Sequence, residues 1–191
     1  MEIERKRLRD AAIRTREALS ATARAPLEAA LLGHVTTLLA QLAPATLAFC
    51  WPYRGEPDLR PVVQRWLAAG RGHAACLPVV VAPGQPMVFR QWTPASQMVP
   101  DRHGIPTPTD GPLLTPELLL IPLNAFDAAG YRLGYGGGYF DRTLAALSPA
   151  PRTIGVGFEL GRVATTHPQP HDHPMHWLVT EAGIHPVGPR P

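Results

Sequence analysis

Short, mainly apolar runs, separated by a loop and a helix-like stretch, limit what this chain can build. LLLIPL (118–123) and TIGVGF (153–158) are the plainest of them. A run buried on both faces belongs in the middle of a sheet, and reaching a parallel neighbour takes a crossover of about a dozen residues or more. Between these two runs lie a long loop over 124–138 and a helix from about 139 to 147. Strand, loop, helix, strand is the order of an α/β fold with a mainly parallel sheet.

The rest of the chain is consistent with this. TLAFCW (46–51), AACLPVVV (74–81) and MVFRQW (87–92) read as strands, the last two around a Pro83–Gly84 turn, and WLVT (177–180) as the final strand. Ile3, Leu8, Ala11, Ala12 and Leu19 predict an amphipathic helix over 2–19. A second helix is expected over 22–42, capped by Ser20 and ended by Pro44, and a third over 59–70, closed by Gly70. The Pro-rich stretch 94–117 reads as an irregular surface crossover. At 191 residues, with no repeat and no clear linker, the chain reads as one domain over 1–191.

Composition removes several classes. Hydrophobic residues make up 45%, enough for a packed core. The 23 prolines fall between apolar runs without a period, which excludes collagen and a Pro-rich linker. Cys50 and Cys76 are too few for a disulfide scaffold and read as small buried hydrophobes. MEIERKRLRD has no apolar segment behind it, so a secretory signal is not expected, and no apolar run approaches about 18 residues. The expectation is a soluble, cytoplasmic protein.

The net charge of +3 is concentrated in the basic N-terminal helix, 1–24, which holds seven basic groups against four acidic ones. A solvated Arg-rich face and a cationic arm for phosphate both fit this segment. Without aromatic interleaving it gives nucleic acid little support.

The chemistry concentrates in IPLNAFDAAGYRLGYGGGYFDRTL (121–144). A buried strand ends, Gly130, Gly134, Gly136, Gly137 and Gly138 follow, and a helix begins. Glycines let a backbone approach a ligand closely, and a helix start presents free N–H groups to an anion. The loop has neither the Lys-Ser/Thr of a Walker A motif nor the third glycine of GxGxxG, where Tyr139 stands. A tight turn would account for the glycines alone. Arg132, a fixed cation for phosphate oxygens, and Asp141, placed in the helix's first turn to hold Mg²⁺, together favour a nucleotide site.

The string FDAAGYRLGYGGGYFDRTL resembles the hallmark of the 5-formyltetrahydrofolate cyclo-ligase family. Arg9 after Leu8, Glu56 after the first strand, HGIPTP (103–108) and HDHP (171–174) followed by WLVTEAGI extend the likeness over nearly the whole chain. The resemblance implies a three-layer αβα sandwich and cyclisation of 5-formyltetrahydrofolate to 5,10-methenyltetrahydrofolate with ATP and Mg²⁺. It implies Glu56, Arg132 and Tyr139 as catalytic residues. ATP would be bound by Arg5, Arg9, Arg132, Leu133, Gly134, Tyr135, Gly136, Gly137, Gly138, Tyr139 and Phe140. The folate would meet Arg9, Trp51, Glu56, Tyr135 and Tyr139, and the metal Asp141 and Asp172. The family usually has a lysine at Arg5, and often basic residues at Tyr135 and Gly137. Those departures place more of the phosphate neutralisation on Arg132, the N-terminal arginines and Mg²⁺.

The implied partners are a reduced folate and ATP, with no nucleic acid or membrane, and a monomer is expected. His167, His171, His173 and His176 crowd around Asp172, but three prolines interrupt them and leave no helical pair for a transition metal. Two alternatives stay open: a divergent ATP-dependent enzyme for another amide or formyl substrate, and a non-catalytic nucleotide- or nucleic-acid-binding module.

Overall fold

Five of the apolar runs lie side by side in one parallel layer in the computed structural model, which describes residues 1–188. In chain order the elements are α1 (Glu2–Glu17), α2 (Ala21–Leu42), β1 (Thr46–Ala48), α3 (Arg60–Ala69), β2 (Ala74–Val79), β3 (Val88–Trp92), β4 (Met98–Pro100), β5 (Pro106–Pro108) and β6 (Leu113–Leu114). There follow β7 (Leu118–Pro122), β8 (Ala125–Phe126), β9 (Arg132–Leu133), α4 (Tyr139–Ala146), β10 (Arg152–Val156), a 3-10 turn (Glu159–Gly161), β11 (Trp177–Thr180) and β12 (Gly183–Pro186). The eight-stranded sheet runs β12-β11-β10-β7-β1-β2-β3-β6. Its middle, from β11 to β2, is parallel, and β12, β3 and β6 join antiparallel at the edges.

Alternation along the central strands sends side chains into two separate cores. Leu47, Ala75, Leu77, Leu118 and Leu120 point to the side covered by Leu31, Val35, Leu38 and Leu39 of α2 and Val62, Val63 and Trp66 of α3. Ala48, Cys76, Leu119 and Ile121 point to the other, where Phe140, Leu144 and Leu147 of the α4 segment pack. Helices on both faces make the three-layer αβα sandwich. Full burial of one such leucine is worth about 1.5–3 kcal/mol, so the two layers hold the sheet rigid beneath its loops.

The first helix does not join either layer. Leu8 and Ala12 of α1 pack on Ala125 and Leu133 of the short β8–β9 pair, beyond the C-terminal ends of the parallel strands. Ser20 caps α2 as expected, its Oγ accepting from the Ala23 N–H.

Four local features differ from the sequence expectations. β1 stops at Ala48, although the Phe49 N–H still donates to the Cys76 carbonyl of β2 at 3.1 Å. The 124–138 loop contains the β8–β9 pair, and the 94–117 stretch contains β4 and β5 paired to each other and β6 on the sheet edge. WLVT is not the last strand, since β12 folds back on it. Runs of two to four residues carry too little periodicity to be read in advance.

His176 joins β10 to the approach to β11. Its Nδ1 accepts from the Thr153 N–H at 3.0 Å and lies 2.8 Å from the Thr153 hydroxyl. Burial, helped by Arg152, holds its pKa below the ordinary value. The folded state therefore favours neutral imidazole, so this contribution is intact above about pH 6.5 and is lost as pH falls through the depressed pKa. His176→Asn, whose amide oxygen can take the same N–H, is expected to flatten the fall of the unfolding midpoint between pH 7 and pH 5. Thermal melts across that range check it.

Candidate active site

In an open parallel sheet, ligands bind beyond the carboxyl ends of the strands, where the connections leave in opposite directions. Here that point lies between β1 and β7: the chain passes from β1 to β2 on one side, then returns to β7, β10 and β11 on the other. A cleft of about 570 Å³ opens there. Its walls come from the segment after β1, the end of β2, the glycine loop and the start of α4, with α1 across the top.

One wall carries Glu56, which is only 6% exposed. Its Oε1 accepts from the Tyr135 hydroxyl at 2.7 Å, and its Oε2 from the Tyr53 N–H at 3.1 Å. Burial raises its pKa above the ordinary glutamate range, against the opposing pull of Tyr135, Arg16 and the Tyr53 amide. Such a carboxyl can take a proton at a higher pH than a solvated one. Trp51 stands on the same wall, half-buried, with the Arg60 guanidinium 4.5 Å above its ring.

The opposite wall is the glycine loop. Gly136 has φ +91°, and a Cβ there would lie 3.0 Å from an Arg9 terminal nitrogen, so Arg9 rests directly on bare backbone. Gly138 has φ +63° and forms the N-cap of α4. Arg132 is buried, its Nη1 donating to Asp141 Oδ1 at 3.2 Å and to the His173 carbonyl at 3.1 Å. Burial lowers its pKa and Asp141 opposes this, but a guanidinium stays charged. Phe140 lies beneath it, the guanidinium 5.7 Å from the ring centre.

The cleft brings together Arg5, Arg9, Trp51, Glu56, Arg132, Gly134, Tyr135, Gly136, Gly137, Gly138, Tyr139, Phe140, Asp141 and Asp172. Leu133 is different. Its side chain is buried against Ala12 and Ala125, leaving only backbone for a ligand.

The arginines are not equivalent. Arg5 grips both oxygens of Asp172 at 2.7 and 3.2 Å, and its Nη1 also donates to the His167 carbonyl at 2.8 Å. Burial works against the charge on Asp172, but Arg5 and the Gln169 amide hold its carboxyl below the usual range. Arg9 Nε, by contrast, is buried without a partner among the described residues. An orphaned guanidinium nitrogen beside a glycine loop and a helix start suits an anion such as phosphate.

For a divalent cation, the donors on this wall are hard oxygens. Asp141 gives Oδ1 to Arg132 and the His173 N–H, and its Oδ2 takes no protein donor among the described residues. No group of three or more His, Cys, Asp or Glu side chains is gathered among them. Mg²⁺ needs only one or two carboxylates when substrate phosphates and water complete its shell. Asp141 fits that role as it stands. Both Asp172 oxygens already accept from Arg5, which leaves Asp172 less available than Asp141.

Of the remaining polar groups, His171 Nε2 lies 3.8 Å from Asp172 on the cleft wall. Cys50 also lines the cleft, but burial and then Glu56 push its thiol pKa far up, so it is a poor nucleophile. Two residues that organise the site were not among those singled out in the sequence. Arg16, 2% exposed, donates to Tyr135, Asn124 and the Leu123 and Arg54 carbonyls. Asp127 closes the turn before β9 through the Ala129 and Tyr131 N–H groups and holds Thr166 with its other oxygen. The FDAAG string contains Asp127, so an Asx-type turn was readable there. For Arg16, nothing nearby in sequence signals its partners.

Comparison with known proteins supplies the relationship. The profile of the 5-formyltetrahydrofolate cyclo-ligase family matches residues 2–181. The chain is 36% identical over 106 residues to the 5-formyltetrahydrofolate cyclo-ligase of Escherichia coli, covering 52% of this chain and 57% of that protein, little more than half its length. It is 28% identical over 148 residues to the Haemophilus influenzae 5-formyltetrahydrofolate cyclo-ligase, covering 74% of this chain and 78% of that protein. The NMR structure of Aquifex aeolicus 5,10-methenyltetrahydrofolate synthetase superposes with a TM-score of 0.83 at 25% identity, covering 98% of this chain and 94% of that one. With its glycine loop, its buried glutamate and a family match running from α1 to the end of β11, the chain belongs to the 5-formyltetrahydrofolate cyclo-ligase family.

Proposed function

We propose that the protein cyclises 5-formyltetrahydrofolate to 5,10-methenyltetrahydrofolate with ATP and Mg²⁺, releasing ADP and phosphate. One arrangement carries the reading: a buried carboxylate, Glu56, lines the same cleft as a glycine-rich helix start and Arg9, whose Nε has no partner among the described residues.

The N5-formyl group is an amide, and its oxygen is a poor leaving group. Transfer of the γ-phosphoryl group to that oxygen gives an imidate-like phosphate. The N10 lone pair then attacks the formyl carbon, the carbon–oxygen bond to phosphate breaks, and N10 gives up its proton as the five-membered ring closes. Phosphoryl transfer is mainly positioning and charge neutralisation. Arg9, Arg132 and the N–H groups from Gly134 to Tyr139 supply both, with Arg132 held rigid by Asp141 and His173. Glu56 orients N10 and accepts its proton, while Trp51 and Tyr139 border the folate. Arg5 acts at one remove, fixing the 166–172 loop through Asp172. Mg²⁺, held by Asp141 through Oδ2, would neutralise charge on the phosphate oxygens.

The test is absorbance. With 5-formyltetrahydrofolate, ATP and Mg²⁺, the near-ultraviolet band of the methenyl product is expected to grow, and to require both ATP and metal. Absence of the band from protein that still binds ATP would refute the substrate. Asp141→Asn keeps an acceptor for Arg132, so it is expected to fold normally while needing a higher Mg²⁺ concentration for half-maximal rate. An unchanged Mg²⁺ titration would remove Asp141 from the metal site.

A further inference from the structure

Tyr135 sits at the tip of the glycine loop, yet its side chain crosses the cleft. Its hydroxyl donates to Glu56 Oε1 at 2.7 Å and accepts from Arg16 Nη2 at 3.0 Å. Its ring meets Tyr53 edge-on, with centroids 5.5 Å apart. Arg16 is itself fixed from two other directions, through Nε to the Arg54 carbonyl at 3.0 Å and through Nη1 to Asn124 Oδ1 at 2.9 Å. The hydroxyl accepts from a cation and so turns its own proton away from it, towards the Glu56 carboxylate at 2.7 Å in preference to the Tyr53 carbonyl at 3.5 Å. Bonds of this kind, with a charged group at each end, are stronger than neutral ones.

Resting on the cyclo-ligase reading above, we propose that Tyr135 is a positioning residue: held by Arg16, its hydroxyl aims Glu56 at the reacting nitrogen. The consequence is a division of labour within one loop. Arg132 and the glycines serve the phosphates, while Tyr135 acts through Glu56. The bond to Glu56 is strongest when Glu56 is ionised, while Arg16 holds the Tyr135 hydroxyl in either state.

Tyr135→Phe tests this, because the phenyl ring keeps the contact with Tyr53 and only the hydroxyl is lost. The expected result is a fall in kcat of about 10- to 100-fold, the range for loss of one hydrogen bond to a charged group. Equilibrium ATP affinity is expected to stay within about twofold, because the backbone N–H of residue 135 is unchanged and the hydroxyl that is lost is spent on Glu56 and Arg16. A kcat within twofold of wild type, or an ATP affinity that falls in step with kcat, overturns the proposal.

A second readout does not depend on turnover. The groups facing Glu56 are the Tyr135 hydroxyl, the Arg16 guanidinium, the Tyr53 amide and the Cys50 thiol. The Tyr135 hydrogen bond favours the ionised carboxylate. In carbon-13 NMR titrations of the glutamate carboxyls, the Glu56 midpoint is expected to move up by about one pH unit in Tyr135→Phe. An unmoved midpoint overturns the proposal even if the variant is slow. If wild-type protein makes no methenyl product but the midpoint does move, the substrate reading fails and the Tyr135–Glu56 coupling stands.

Discussion

Glu56→Gln is expected to lower kcat for cyclisation by about 10²- to 10⁴-fold, the usual contribution of a positioned general base, with ATP binding unchanged. Glutamine matches glutamate in shape, so the change isolates the charge. Both carboxylate oxygens of Glu56 accept hydrogen bonds, from Tyr135 and from the Tyr53 amide. A glutamine NH₂ can satisfy neither donor, so one bond is lost whichever way the amide turns. Burial makes the charge costly, as the raised pKa of Glu56 indicates, and a neutral side chain removes that cost. The variant is therefore expected to stay folded while losing turnover. The wild-type rate should also fall on the acid side at a higher pH than a solvated glutamate would give, because protonation removes the acceptor. Steady-state rates across pH, with calorimetric ATP binding on the variant, check both statements. A fully active Glu56→Gln would remove Glu56 from the chemistry.

Arg16→Met is expected to have the largest effect on stability. The guanidinium is 2% exposed and serves four acceptors: the Leu123 and Arg54 carbonyls, Asn124 Oδ1 and the Tyr135 hydroxyl. Methionine fills much of the same space but donates nothing. Each buried acceptor left without a partner costs about 1–3 kcal/mol, so a loss of about 3 kcal/mol or more is expected. In a domain of this size that lowers the unfolding midpoint by about 6–12 °C. The partners lie on separate segments, before β8, after β1 and in the glycine loop, so turnover should fall further than stability alone explains. Differential scanning calorimetry, with activity measured well below the melting range, separates the two. A midpoint within a degree of wild type would show that Arg16 does not hold these segments together.

The sheet was legible because its central strands are buried on both faces and are therefore built mainly of apolar residues. LLLIPL and TIGVGF announce β7 and β10 without help from their neighbours. The edges were not. β6, β8 and β9 are two residues each, and their pairing is decided by what the chain packs against, not by any period. The same division runs through the site. Cleft residues that are neighbours in sequence, such as the glycines, Arg132 and Asp141 at the start of α4, lie in one contiguous stretch and could be read together. Residues that act by spanning the fold could not: Arg16 is 119 positions from Tyr135 and 108 from Asn124. Arg5 is a related case. Its type suits phosphate, but its pairing with Asp172, 167 positions away, has no local signal in the sequence.

The most direct test of the mechanism is to follow the formyl oxygen. With substrate carrying oxygen-18 in the N5-formyl group, the account predicts that one labelled oxygen appears in the released phosphate for each turn of ring closure, read by mass spectrometry. Phosphate without the label, formed alongside the methenyl product, would mean that the formyl oxygen leaves by another route and that the cleft does not activate it by phosphorylation.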